Sequence, residues 1–322
     1  MLGYVTRRLG VAALLAFGVA TLTFALLWWA PGDSRGALLL SGFGDPGTPV
    51  ASAEVEGPLQ SYAEWVGRLL RGDLGYSETQ NRPVGRVLGD ALPHTLALSS
   101  LGLLLAAFLG VGTGVLQAAR AGSRLDRALA VLTVVLYSAP SFWVGLLLIR
   151  LFVGGPLDLG PFSTLQMSGV GPPGGAVAWT DHLPYLVLPA LTLGLVLGAG
   201  IARFTRASMV EILEQEYIRA ARGRGLGELR VLFRHALRAA VLPLISLLGV
   251  YLPMLLTGAV FVETVFERTG VGWEMVRAIQ RQDIPVVAGG ALLFGFVTVV
   301  ANLVADLLYA WADPRIGDAQ RG

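Results

Sequence analysis

The sequence predicts an all-α polytopic membrane protein with six transmembrane helices and an external loop region after the first of them. Three observations carry that reading. The 322-residue chain is 54% hydrophobic and only 14% charged, and its mean hydropathy of +0.65 is too high for a water-soluble protein of this length. Six segments are apolar over about the 20 residues needed to cross roughly 30 Å of hydrocarbon at 1.5 Å per residue. All 24 basic residues are arginine, and they cluster in particular connections, where they hold the cytoplasmic side during insertion.

The first span is 9–30, LGVAALLAFGVATLTFALLWWA, uncharged throughout. Arg7 and Arg8 precede it within a cytoplasmic N-terminus, 1–8, and Trp28 and Trp29 close it as an interfacial aromatic pair. A cleaved signal peptide is the competing reading, but Trp28 stands where a small residue is wanted, so the segment is expected to stay as a span. An external region, 31–91, follows. It opens with PGDSRG and a Gly/Pro/Ser-rich stretch, and its second half, SYAEWVGRLLRGDLG, predicts a short helix ended by Gly72 or Gly75. Trp65, Leu69 and Leu70 recur there at helical spacing and are expected to pack on the membrane domain, with contact to a partner as the competing role.

The core domain, 92–310, holds the remaining spans at 95–117, 128–149, 184–202, 240–262 and 285–310, and a cytoplasmic tail, 311–322, ends the chain. Pro140, Pro189, Pro243, Gly194 and Gly289 fall inside these spans, where a kink is tolerated because neighbouring helices satisfy freed backbone groups. Orientation follows from the short loops. Residues 118–127 carry Arg120, Arg124 and Arg127, and 203–239 carry eight arginines, while 154–183 carry none. The N-terminus, both arginine-rich loops and the C-terminus are therefore expected inside.

Two absences narrow the chemistry. Without lysine there is no phosphate-loop ammonium and no Schiff-base nucleophile; without cysteine there is no disulfide, thiolate or Cys-ligated metal. His94, His182 and His235 stand on separate segments without an i, i+4 pair, so no metal site is expected. No Ser-Lys pair or G-x-S-x-G elbow suggests a membrane enzyme.

The most informative segment is 203–239, RFTRASMVEILEQEYIRAARGRGLGELRVLFRHALRA. It is too polar to span yet rich in apolar side chains. Ile218, Ala221 and Gly225 fall at i, i+3 and i+7, so a helix there would present a small, apolar face edged by arginines. Such a helix either lies on anionic headgroups or docks a cytosolic subunit. Ala220, Ala221 and Gly225 offer little area to lipid, and Gly223 with Gly225 invites a turn between two short helices, which favours docking.

EYIRAARGRGL resembles the cytoplasmic signature of binding-protein-dependent ABC importer permeases, a Glu-Ala-Ala triplet followed after three residues by Gly. The triplet aligns with Arg219, Ala220 and Ala221, and the Gly with Gly225, so Arg replaces Glu. Arg238 stands where the general signature has proline. Both departures resemble the dipeptide, oligopeptide and nickel subgroup, whose first permease subunit reads YIRTARAKGL and then HALRNALLP. RRLG with TLTF and PGD, GDLG at 72–75, RAGSRLDR, SAPSFWVGLLL, LPALTLG, ETVFERTGVGWEMVRAIQRQDIPVV and DPRI at 313–316 are similar to that family in the same order.

The resemblance implies a type I ABC importer permease fold, working with a second homologous permease, two ATPase subunits that bind ATP and Mg, and an external solute-binding protein, in the cell (inner) membrane and with no nucleic acid. It implies a coupling helix around 216–228. Tyr217, Ile218, Ala220, Ala221, Gly225 and Leu226 would pack in the ATPase, and Arg219, Arg222 and Arg224 would pair with acidic groups on its rim. The implied cargo is a di- or oligopeptide, with nickel or another small solute as the alternative. A self-sufficient secondary transporter or channel is the rival from another class.

Other polar residues have simpler readings. Tyr137, Ser138, Ser141 and Phe142 around Pro140 are candidates to line a translocation path, with helix packing as the competing role. Asp306 is expected to be structural, and Arg150 and Glu263 to snorkel or line an outer mouth. GVGTG at 110–114 is read as a close helix approach rather than a nucleotide loop. In the resembled family, 264–284 faces the binding protein or the outer gate.

Overall fold

The computed structural model describes residues 2–29, 57–153, 169–171 and 179–312. Expectations for 30–56, most of 154–178 and the tail from 313 lie outside the described residues. The chain divides into two compact units: Leu96–Arg268 with the chain from Ala301, and Leu2–Thr95 with Thr269–Val300. This grouping cuts across the boundary expected at residue 92.

In the second of these units, α1 (Leu2–Trp29) is followed by α2 (Pro58–Leu70). Proline at the first helical position starts α2, and Gly72 at φ +80° follows its end, where residues with a Cβ are strained. Trp65 and Leu69, one helical turn apart, pack on the α1 residues Ala20 and Phe24, with the Phe24 ring 5.6 Å from Trp65 and 5.2 Å from Tyr62. Leu70 does not join them. One residue further is a rotation of about 100°, which turns it to the surface at 83% exposure.

A two-stranded hairpin, β1 (Tyr76–Ser77) and β2 (Arg82–Pro83), pairs antiparallel with Ser77 opposite Arg82. It leads directly into α3 (Val84–Ala119). This helix starts well before the expected span at 95 because Val84, Val87, Leu88 and Ala91 form a buried stripe at i, i+3, i+4 and i+7. The stripe packs on Val271 and Ala278 of α10 (Val271–Gln280) and on Val286 at the start of α11 (Ile284–Ala312). Residues 84–91, expected in the external region, are therefore helical.

The other unit contains α4 (Arg124–Ser138), α5 (Ser141–Phe152), α6 (Leu183–Leu213), α7 (Glu216–Gly223), a single turn α8 (Glu228–Arg230), a π-helical segment Val231–Ala236, and α9 (Leu237–Val265). The span expected at 128–149 is broken: α4 and α5 meet at 112° around Pro140, which has no N–H to continue the helix. Helices run through Pro189 and Pro243. The most buried apolar helix is α6. A Cβ on Gly110 would lie 2.6 Å from the Gly198 carbonyl oxygen, and one on Gly114 2.7 Å from that of Ala202, so GVGTG packs α3 against α6 backbone to backbone. An added methyl group there overpacks the contact by about 1–3 kcal/mol.

Among the described residues four helices are long and apolar enough to cross a membrane: α1, α3, α6 and α11, or five if α4 and α5 form one bent span. The fifth expected span, 240–262, lies within α9, of which Met254–Val265 is a shorter apolar helix. Glu263 on α9 is fully buried and does not snorkel, whereas Arg150 at the end of α5 is exposed.

Candidate functional site

The connection between α6 and α9 is a small folded body with its own apolar centre. The helix α6 continues beyond the expected end of its span at 202 and carries Arg203, Arg206 and Met209 with it. Met209 is buried against Val115 and Ala118 of α3, Ile218 of α7, Val231, Leu232 and Ala236 of the π segment, and Ala240 of α9. Val231 and Ala236, five residues apart, both point inward because the π turn spaces successive turns by about that interval.

The end of α7 shows why Gly225 is glycine. Its N–H donates to the Arg222 carbonyl at 2.9 Å, and the N–H of Leu226 donates to the Ala221 carbonyl at 3.4 Å. These are the two bonds of a Schellman cap, with Gly225 in the left-handed region at φ +79°. Leu226 turns back onto the apolar centre and completes the cap. Gly227 then starts α8, accepting from the N–H groups of Arg230 and Val231.

This geometry revises the face expected on α7. Ile218 and Ala221 are buried within the chain and Leu226 is half-buried, so the stripe expected to be open to another protein is turned onto the chain's own core. The apolar stripe is satisfied locally because α3, α6 and the π segment surround it. Tyr217, Arg219, Ala220, Arg222, Arg224 and Gly225 remain at the surface.

The arginines divide in the same way. Arg222 donates from Nη2 to Glu228 Oε1 at 2.7 Å and from Nε to Oε2 at 3.2 Å, bracing the turn between α7 and α8. Arg219 donates to the Glu214 carbonyl at 3.1 Å, at the end of α6. Arg224 has no such partner among the described residues. The ion pair holds the Glu228 carboxyl below its ordinary range and raises the Arg222 guanidinium.

Sequence reasoning missed two surface residues here. Leu229 is 73% exposed and Phe233 57% exposed, beside Tyr217 at 48% on the same connection. Their spacing of four within ELRVLF was a signal, obscured by Val231 and Leu232, which are the buried members of that run.

A second tie joins this body to α4. Arg206 on α6 donates to both carboxylate oxygens of buried Asp126, at 2.7 and 2.8 Å. Asp126 also accepts from the Gly122 N–H, and Ser123 caps α4 by accepting from the Asp126 N–H at 3.2 Å. Of the four residues around Pro140, Tyr137, Ser138 and Phe142 are exposed and Ser141 is half-buried at the bend. Asp306 is half-buried. Among the described residues no cluster of His, Cys, Asp and Glu is arranged to hold a metal.

Long apolar helices joined by an arginine-rich body that packs on three of them define a multi-pass membrane protein with a structured polar connection. Residues 110–318 match the family described as binding-protein-dependent transport system inner membrane component, and the chain belongs to that family. A di/tripeptide transport system permease protein of Pseudomonas aeruginosa is 37% identical over 332 residues, covering 98% of this chain and 99% of the relative. The dipeptide transport system permease protein of Escherichia coli K12 and the oligopeptide transport system permease protein AppB of Bacillus subtilis are each 34% identical with the same coverage. The subgroup resemblance carried by EYIRAARGRGL thus extends along the whole chain.

Proposed function

We propose that this chain is one of two permease subunits of an ABC importer for di- or oligopeptides. The observation that carries the reading is the full-length similarity to three permeases named for such peptides. The complex would hold six spans in this subunit, with both termini and the 203–239 connection in the cytoplasm, a second homologous permease, two ATPases that bind ATP and Mg, and an external binding protein.

The ATPase contact would be made by Tyr217, Arg219, Ala220, Arg224 and Gly225, joined by Leu229 and Phe233. Ile218, Ala221 and Leu226 would act from behind, holding α7 on its base, and Arg222 would brace the turn. Because α7 shares one packed centre with the ends of α3, α6 and α9, a push on its outer face would move those helices together rather than bend the loop. The Asp126–Arg206 pair would carry the same displacement into α4.

The test is reconstitution. The chain with its partner permease, ATPases and binding protein should accumulate labelled tripeptide in proteoliposomes when ATP is supplied, and the chain alone should not. Peptide flux from the chain alone would overturn the proposal in favour of a self-sufficient transporter.

A further inference from the structure

The wall of α6 is uncharged from Leu183 to Ala202, and then Arg203 appears. Its guanidinium lies over the ring of Tyr137, 5.4 Å from the centroid. Both residues are at the surface of their unit. Past the exposed Arg124 and Arg127 of its first turn, α4 exposes the aliphatic Val131, Leu132, Val134 and Val135, as a surface toward lipid requires. The end of α4 is different, because Tyr137 and Ser138 present a polar patch beside the cation.

Gly200 holds the patch together. A Cβ there would overlap the hydroxyl oxygen of Tyr251 from α9 and come within 3.0 Å of the Tyr137 ring. Three helices, α4, α6 and α9, therefore bring two tyrosines and one arginine to a single notch, where a side chain larger than glycine at position 200 would push the tyrosines aside. Among the described residues no carboxylate pairs with Arg203, and its guanidinium makes no hydrogen bond.

An arginine stacked on an aromatic ring uses its face for the stack. Its N–H groups point outward in the plane, in the fork that matches a carboxylate. A guanidinium just past the end of an apolar span, with neither acid nor hydrogen-bond acceptor of its own, invites an anion from outside the chain.

We infer that Arg203, held by Tyr137 and assisted by the Tyr251 hydroxyl, is a station for the terminal carboxylate of the cargo. The inference rests on the import reading above and names the group of the peptide that this chain recognises. The station differs from the ATPase-facing surface, which shares none of these residues.

The experiment compares trialanine with trialanine amide in proteoliposomes containing the whole complex, with binding protein above both of its dissociation constants. Arg203→Gln is expected to lower uptake of the free acid about tenfold or more and to leave uptake of the amide unchanged. ATP hydrolysis stimulated by loaded binding protein should persist. Arg203→Lys, which keeps the charge and loses the fork, should give a smaller loss, again only on the acid.

The binding protein is the same throughout, so its own preference cancels in the ratio. An equal loss on both peptides, or no loss on either, would overturn the station. Those are the outcomes expected if Arg203 pairs with a lipid phosphate or with an acid of the second permease. If the unsubstituted complex imports neither peptide, it is the import proposal that fails.

Discussion

Two short irregular regions of this chain are held by opposite means. The 214–236 connection is fixed from inside by aliphatic side chains, with Ile218, Met209 and Val231 fully buried and its polar groups left on the surface. The hairpin at 76–83 is fixed by polar groups. Ser77 donates to Asp283 at 2.5 Å, Thr79 donates to the same carboxylate, and Gln80 donates to Glu274 at 2.9 Å. Close by, the Val271 N–H donates to the buried hydroxyl of Thr95 at 2.8 Å. The hairpin spends its polar groups internally, whereas the connection keeps Arg224 and three large apolar side chains free for something else. Of these two regions, the connection combines a rigid base with an unspent surface, and the hairpin does not.

The largest expected effect tests the aliphatic base. Ile218→Asp would place a carboxylate among Val115, Met209 and Val231, at a cost of about 4 kcal/mol or more to the folded connection. Proteolysis in detergent should then cut within 214–236 while the apolar helices stay protected. Unchanged protection would mean that α7 is not seated on this centre.

The polar counterpart comes next. Asp283→Ala removes the acceptor for Ser77 and Thr79 and leaves the buried Ser77 hydroxyl without its acceptor, which costs about 1–3 kcal/mol. Amide exchange should rise across 76–83, with the 214–236 connection unaffected. A change in both regions would break the comparison.

Gly225→Ala is smaller. Nothing lies within 4 Å of the added Cβ, so the expected penalty is only that of a left-handed backbone, about 1 kcal/mol. It should register as faster exchange of the Leu226 amide and a modest loss of melting temperature.

Much of this was legible in the sequence, for reasons that can be traced to residues. Apolar length revealed α1, α3, α6 and α11, and GVGTG at 110–114 forecast a close helix approach, though not that its partner is α6. Gly225 was marked as a turn because glycine there was physically motivated. The bend at Pro140 was open to expectation, since Pro189 and Pro243 sit in equally apolar runs whose helices continue. The direction of the α7 stripe was not legible. Periodicity shows that Ile218 and Ala221 share a face; what covers that face depends on the ends of α3 and α9, which are distant in sequence. The Arg203–Tyr137 contact was hidden for the same reason, since it joins residues from separate helices.

The smallest effect sharpens the account of the surface. Arg222 and Glu228 are about half exposed, so their pair contributes well under about 1 kcal/mol after solvent screening. Its sign is nevertheless definite. The hydrogen bonds from Arg222 lower the Glu228 pKa from its ordinary 4.5, so the pair's contribution is complete above that value and is lost as pH falls through the lower folded value. Carboxyl-carbon NMR of labelled protein should find Glu228 titrating below 4.5, and Arg222→Gln should move the titration back up without unfolding the connection. If the substitution leaves the titration where it was, Arg222 does not brace the turn and stands free beside Arg224, which would add a second cation to the surface available for a partner.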